Sequence, residues 1–156
     1  MTPMLQSLWA HLTWADDQIL KTVSAQEGAF ADENVRQLLH HIVAVETFFL
    51  ALFQARPINM EAGKQIPGQV EEFQQLFAAA HADGASYVAN LNEAELARTI
   101  EFPVPAFKDF HPSIADALMQ VILHSEHHRG QVALRLRALG GKPPVLDYIV
   151  WVRTIR

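Results

Sequence analysis

Apolar side chains recur at steps of three and four through four long stretches of this chain, and that period commits it to amphipathic helices. The first stretch runs from Met4 to Val23 through Leu5, Leu8, Leu12, Ala15, Ile19 and Leu20. A break marked by Gly28 and Asp32 precedes a second, from about Glu33 to Phe53, striped by Leu38, Ile42, Val45, Phe49 and Leu52. The third, Val70 to about Leu91, is patterned by Phe73, Leu76, Phe77, Ala80, Tyr87 and Val88, and Gly84 weakens it locally. Ser113 with Asp116 three residues later resembles a capping box and opens a fourth helix. That helix runs to about Leu139, where Gly140, Gly141, Pro143 and Pro144 stop it. The pattern predicts an all-α, up-down-type four-helix bundle. With 156 residues the chain is long enough for one real core and short for two, so residues 1–156 are expected to form a single domain.

The connections are less regular. Arg56, Pro57, Gly63, Pro67 and Gly68 punctuate the link between the second and third helices. Residues 99 to 111 alternate through Ile100, Phe102 and Val104, but Pro103 and Pro105 forbid a central strand, leaving an extended loop or a short edge pairing. The tail from Val145 to Ile155, β-branched at Ile149, Val150 and Val152, is read as a short extra helix.

Charge and composition narrow the function. A formal charge of −5 opposes phosphate neutralisation, so nucleic acid is not an expected partner. The charge is uneven: six Arg and Lys against Glu126 and Asp147 make His124 to Arg156 formally +4, and the remainder −9. Without cysteine the chain has no disulfide, no thiolate ligand and no thiol nucleophile. No basic-then-apolar leader opens the sequence and no uninterrupted 18-residue apolar run occurs, so a cytoplasmic protein without a membrane partner is expected.

Five of the eight histidines fall into two clusters, His40 with His41 and the run His124, Ser125, Glu126, His127, His128. On a helix His124 and His128 stand roughly 400° apart and project one turn from each other on the same side, the spacing at which two imidazoles share a metal. His127 lies about 60° from His124 on the other flank, so that pair is also geometrically open. Glu126 is roughly 200° round from His124 and cannot reach the same ion, which separates this run from the H-E-x-x-H metalloprotease motif. A catalytic centre wants three protein ligands and an open position. His41, within the apolar run Leu38, Ile42, Val45, supplies the third, whereas His40 is turned about 100° away. Gln131 and Arg135 continue along the face of His124 and His128 and are the candidate catalytic residues, able to orient or neutralise an anionic cofactor. Arg129 reads as an exposed or interface charge. Gly130, costing about 1 kcal/mol inside a helix, predicts a close approach by the first helix or a dimer partner. Trp9, Trp14, Phe48 and Phe49 read as core or interface.

The segment His124, His127, His128, Arg129, Gly130, Gln131, followed by Leu136, Arg137, Gly140, Pro143, Pro144, Leu146, Asp147, Tyr148 and Ile149, resembles the signature end of the DinB-like (DinB/YfiT) family. Trp14, Ala15, Asp16 with Leu20, and His41, Ile42 with Glu46, are similar to weaker motifs upstream. The resemblance spans nearly the whole chain. It implies a four-helix bundle, commonly dimeric, that holds a divalent metal, zinc or nickel, through His41, His124 and His128. Relatives include bacillithiol transferases and the mycothiol-dependent maleylpyruvate isomerase, so it also implies a small-molecule substrate and a low-molecular-weight thiol activated at the metal.

Two classes of function follow. One is a metal-dependent enzyme, a thiol S-transferase or isomerase by resemblance, with a metal-dependent hydrolase as a variant of the same centre. The other is a non-catalytic metal- or ligand-binding homodimer acting in stress. Thiol recognition would depend on loop residues 55 to 68 and 99 to 111, which carry no motif.

Overall fold

The computed structural model describes residues 1–103 and 105–156, without the side chain of Ala62; the Val104 position of the alternating stretch lies outside the described residues. Six α-helices occur among them: α1 Thr2–Ala25, α2 Glu33–Phe53, α3 Val70–Ala89, α4 Glu93–Ala97, α5 Ile114–Ala138 and α6 Tyr148–Ile155. The fold is all-α, and the described residues hold no strand beyond one isolated bridge, Thr99 to Ser113. The helix starts have local causes. Asp32 caps α2 by accepting from the Val35 amide at 3.1 Å. Ser113 and Asp116 form a reciprocal capping box at the head of α5. Gly140, at φ +81°, turns the chain out of α5 in a conformation that favours glycine.

α1, α2, α3 and α5 form the bundle. α1 and α2 stand diagonally, each packing against α3 and α5. Two ring pairs set the course of α3: Phe30 meets Phe73 at one end, and Phe53 stacks on Tyr87 at the other, so α2 and α3 run parallel. The connection 54–69 therefore crosses the length of the bundle. α5 runs antiparallel to α2, as the Arg135 to Asp32 and Ser125 to Glu46 contacts at successive levels require. α4 was not foreseen, because one five-residue turn carries no readable period. α6 returns to α1, where Ser7 meets the Tyr148 hydroxyl at 2.8 Å and His11 meets the Leu146 carbonyl at 2.7 Å.

The deep face of α2 differs from the sequence stripe by one position. Val35, Leu39, Ile42, Val43, Phe49, Leu50 and Phe53 are buried, while Leu38 and Val45 are only partly so. By length and mean hydropathy α2 could cross a membrane, although it has no uninterrupted apolar run; much of its apolar surface lies inside the bundle, and Glu46 sits fully buried within it.

Gly84 has a packing reason. A Cβ there would stand 1.9 Å from Cζ2 of the buried Trp9, so the glycine is what lets α3 close on α1. Gly130 has none within the chain: nothing lies within 4 Å of its would-be Cβ, and the expected approach by α1 does not occur.

The core is divided. One apolar cluster gathers Leu5, Trp9, Leu12, Phe49, Phe53, Leu118, Val121 and Ile122; another gathers Ile19, Val23, Leu39, Ile42, Phe73, Phe77, Val132 and Leu136. Between these positions along the four helices come Asp16, Glu46, His81, Ser125 and Arg129, all buried.

Candidate metal centre

His41 on α2 and His124 and His128 on α5 converge where the two helices cross, with one ligand nitrogen from each lying within 4.8 Å of the others. Ring centroids are 4.8 Å apart for His41 and His124, 4.6 Å for His41 and His128, and 4.3 Å for His124 and His128. His124 and His128 meet because a four-residue step returns to the same helix face. His41 is exposed, at the margin of the α2 face rather than in the core. His40 points elsewhere, into a cavity of about 570 Å³ between α2, α3 and the 63–68 segment, with Val43, Ala44 and Thr47.

The electrostatics favour neutral rings. Burial, then the neighbouring charges of His128, His41 and His127, push His124 down to about 4. Burial, with His128 and His40, also lowers His41. The Nε2 atoms of His124 and His41 are nevertheless 3.0 Å apart, so their facing lone pairs need a shared proton or a cation between them. Nδ1 of His124 is buried without a hydrogen-bond partner, leaving the facing imidazole as that ring's polar contact. Nδ1 of His128 donates to Gln131 Oε1 at 2.6 Å, which leaves its Nε2 lone pair free. A tetrahedral ion with nitrogens at about 2.0–2.1 Å spaces its ligands by about 3.3 Å, close to the separation found for His41 and His124. The three residues fit a divalent ion of the zinc or nickel type.

Other expected site residues fall differently. Gln131 reaches the histidines only through His128 and His127, whose Nε2 is 3.2 Å from its amide nitrogen. His127 itself lies on the outer flank. Arg135 turns instead to Asp32, to which its Nε and Nη2 donate at 2.5 to 3.1 Å. Arg129 is not an exposed charge: it is 1% exposed and donates to Asp16 at 2.8 Å and to Glu126 at 2.8 Å. Sequence reasoning missed this layer, yet a signal existed. Asp16, Glu46 and Arg129 all occupy core positions of their stripes, where a charge survives only with partners.

The sequence matches the model of the DinB family over residues 1–154. The chain belongs to the DinB family. A crystal structure of a DinB-like protein from Bacillus cereus ATCC 10987 superposes with a TM-score of 0.68, covering 88% of this chain and 91% of that one. At 18% identity that likeness is one of fold. No curated protein matches the sequence. Within the DinB bundle, then, the three histidines sit on the outer side of the α2–α5 seam and the buried charged layer sits inside it.

Proposed function

We propose that this DinB-family chain binds a divalent metal through His41, His124 and His128 and uses it in a reaction of a small thiol, of the S-transferase or isomerase type. The observation that carries the reading is three imidazoles gathered within 4.8 Å on two facing helices, with no carboxylate among them and one ring exposed. An all-imidazole set suits zinc or nickel, and an open flank distinguishes a reactive centre from a closed structural one. Bound there, such an ion would lower the pKa of a coordinated thiol or water.

The chain's own residues have assignable parts. Gln131 fixes the tautomer of His128, and the low proton affinity of His124 keeps that ring available at neutral pH. An apolar cavity of about 450 Å³, walled by Phe49, Phe102, Phe107 and Phe110, includes Gln120, one helical turn before His124. It would seat an apolar part of the electrophile. The absence of cysteine means that the thiol comes from a cofactor. Elemental analysis followed by a panel of bacillithiol, mycothiol and glutathione with aryl electrophiles tests the reading. Expected are about one metal per chain and metal-dependent conjugation with one thiol; full metal retention by His124→Ala would sink it.

We also propose a homodimer. Leu123 and Leu134, 59% and 66% exposed, stand three turns apart on one outward face of α5 with Gly130 between them. Light scattering at about 10 μM should give twice the chain mass and Leu134→Glu half of that. A wild-type monomer at that concentration overturns it.

A further inference from the structure

Asp16 from α1, Glu46 from α2 and His81 from α3 bring one carboxylate or imidazole atom each to within 4.8 Å of one another, and all three residues are buried. Their partners do not use up their capacity. Asp16 Oδ1 accepts from Arg129, and Asp16 Oδ2 faces His81 Nε2 at a long 3.2 Å. Glu46 Oε1 accepts from Ser125 at 2.8 Å. Glu46 Oε2 has no partner, although the side chain is wholly buried, and it lies 3.9 Å from the same His81 nitrogen.

A buried carboxyl oxygen without a hydrogen-bond partner is costly. Asp16 Oδ2 and Glu46 Oε2 both face His81 Nε2, at 3.2 and 3.9 Å; with its proton on Nε2 the ring donates to Asp16, and with its proton on Nδ1 it offers a lone pair to a cation. Arg129 gives Nη1 to Asp16 Oδ1 and Nη2 to Glu126, and its Nε, buried without a partner, makes no hydrogen bond to Glu46. The far ring nitrogen of His81, Nδ1, faces Asp17 Oδ1 at 3.9 Å. A proton moved to that outer nitrogen, on the Asp17 side, would turn the His81 lone pair inward.

We propose that Asp16, Glu46 and His81 form a second divalent-cation site, distinct from the tri-histidine cluster and selective for a harder ion of the manganese(II) type. Two carboxylates and one imidazole make a harder donor set than three imidazoles. The ion brings two positive charges to a layer in which Arg129 alone answers the two interior carboxylates. Burial and the Asp16 charge hold the Glu46 carboxyl well above the usual range, and a cation beside it would oppose that rise. Entry has a route: His81 lines the groove of about 660 Å³ between α1 and α3, beside Trp9, Ala10 and Thr13.

The test uses the full chain carrying His41→Ala and His124→Ala, which removes the outer cluster. Manganese(II) is added and read by electron paramagnetic resonance and elemental stoichiometry, with zinc(II) in parallel. About one manganese per chain is expected, bound more tightly than zinc relative to the wild-type cluster. Glu46→Gln keeps the shape and the Ser125 contact, and His81→Ala opens the groove wall. Each should weaken manganese binding by at least about tenfold while circular dichroism stays helical. A helical double-histidine variant that binds neither ion at about 1 mM overturns the proposal, leaving a proton alone in the layer. Unchanged manganese affinity in both Glu46→Gln and His81→Ala overturns it equally.

Discussion

The two clusters share α2 and α5, where they differ by a rotation, and α1 and α3 add Asp16 and His81 to the inner one. His124 and His128 point to the outside of the α2–α5 seam; Ser125 and Arg129, one residue further and about 100° round, point to its inside. On α2 His41 and Glu46, five residues apart and so about 140° round, likewise face outward and inward. Outside, imidazole rings share a partly solvated corner. Inside, Asp16, Glu46 and Arg129 are 0–2% exposed and divide the apolar core in two. The outer cluster can lose a member without disturbing the packing, whereas the inner layer cannot lose a charge without stranding its opposite. Fold stability and the proposed metal binding thereby fall to neighbouring residues of one motif.

The largest expected effect breaks that contrast if it fails. Arg129→Ala leaves Asp16 buried without its counter-charge, a loss of about 3–5 kcal/mol. Urea unfolding of metal-free protein should show it as a large fall in midpoint. In the same assay His128→Ala should stay within about 1 kcal/mol of wild type, since its contacts are at the rim. Comparable losses for the two variants would mean that the layers are not distinct.

A smaller effect separates them by pH. In the unfolded chain His124 takes up a proton near 6.5, whereas in the fold it does so only near 4. Between those values the unfolded state binds more protons, so this residue contributes a loss of stability as pH falls from about 6.5 to 4, and none above. His124→Ala should flatten the stability profile of the metal-free protein in that window. An imidazole resonance of His124 that titrates near 6.5 in the folded protein would contradict the assignment.

Legibility followed the same divide. The helical period located all four long helices, and the four-residue step put His124 and His128 on one face, because both are local properties of a chain that turns every 3.6 residues. Arg129 was misread because its partner, Asp16, is 113 residues away and no spacing reports it. Arg135 was misplaced for the same reason: a helix face is set by periodicity, but a long side chain reaches whichever carboxylate stands within range, here Asp32 at the α2 cap. Glu46 hid inside an apolar stripe, and α4 was too short to show a period.

The smallest effect sharpens the boundary between inside and outside at the glycine that follows Arg129. Gly84, against Trp9, has no room for a methyl group, but Gly130 faces open space on the exposed side of α5. Alanine loses less backbone entropy on entering a helix, so Gly130→Ala should raise the stability of the dilute, monomeric chain by about 0.5–1 kcal/mol. The gain should shrink or reverse at concentrations where the Leu123 and Leu134 face is covered by a second copy, because a methyl group there would hold the two helices apart. Thermal melts across a hundredfold dilution read both terms. A destabilised monomer would mean that the Gly130 position is packed from within the chain, and the outer face of α5 would then belong to the core.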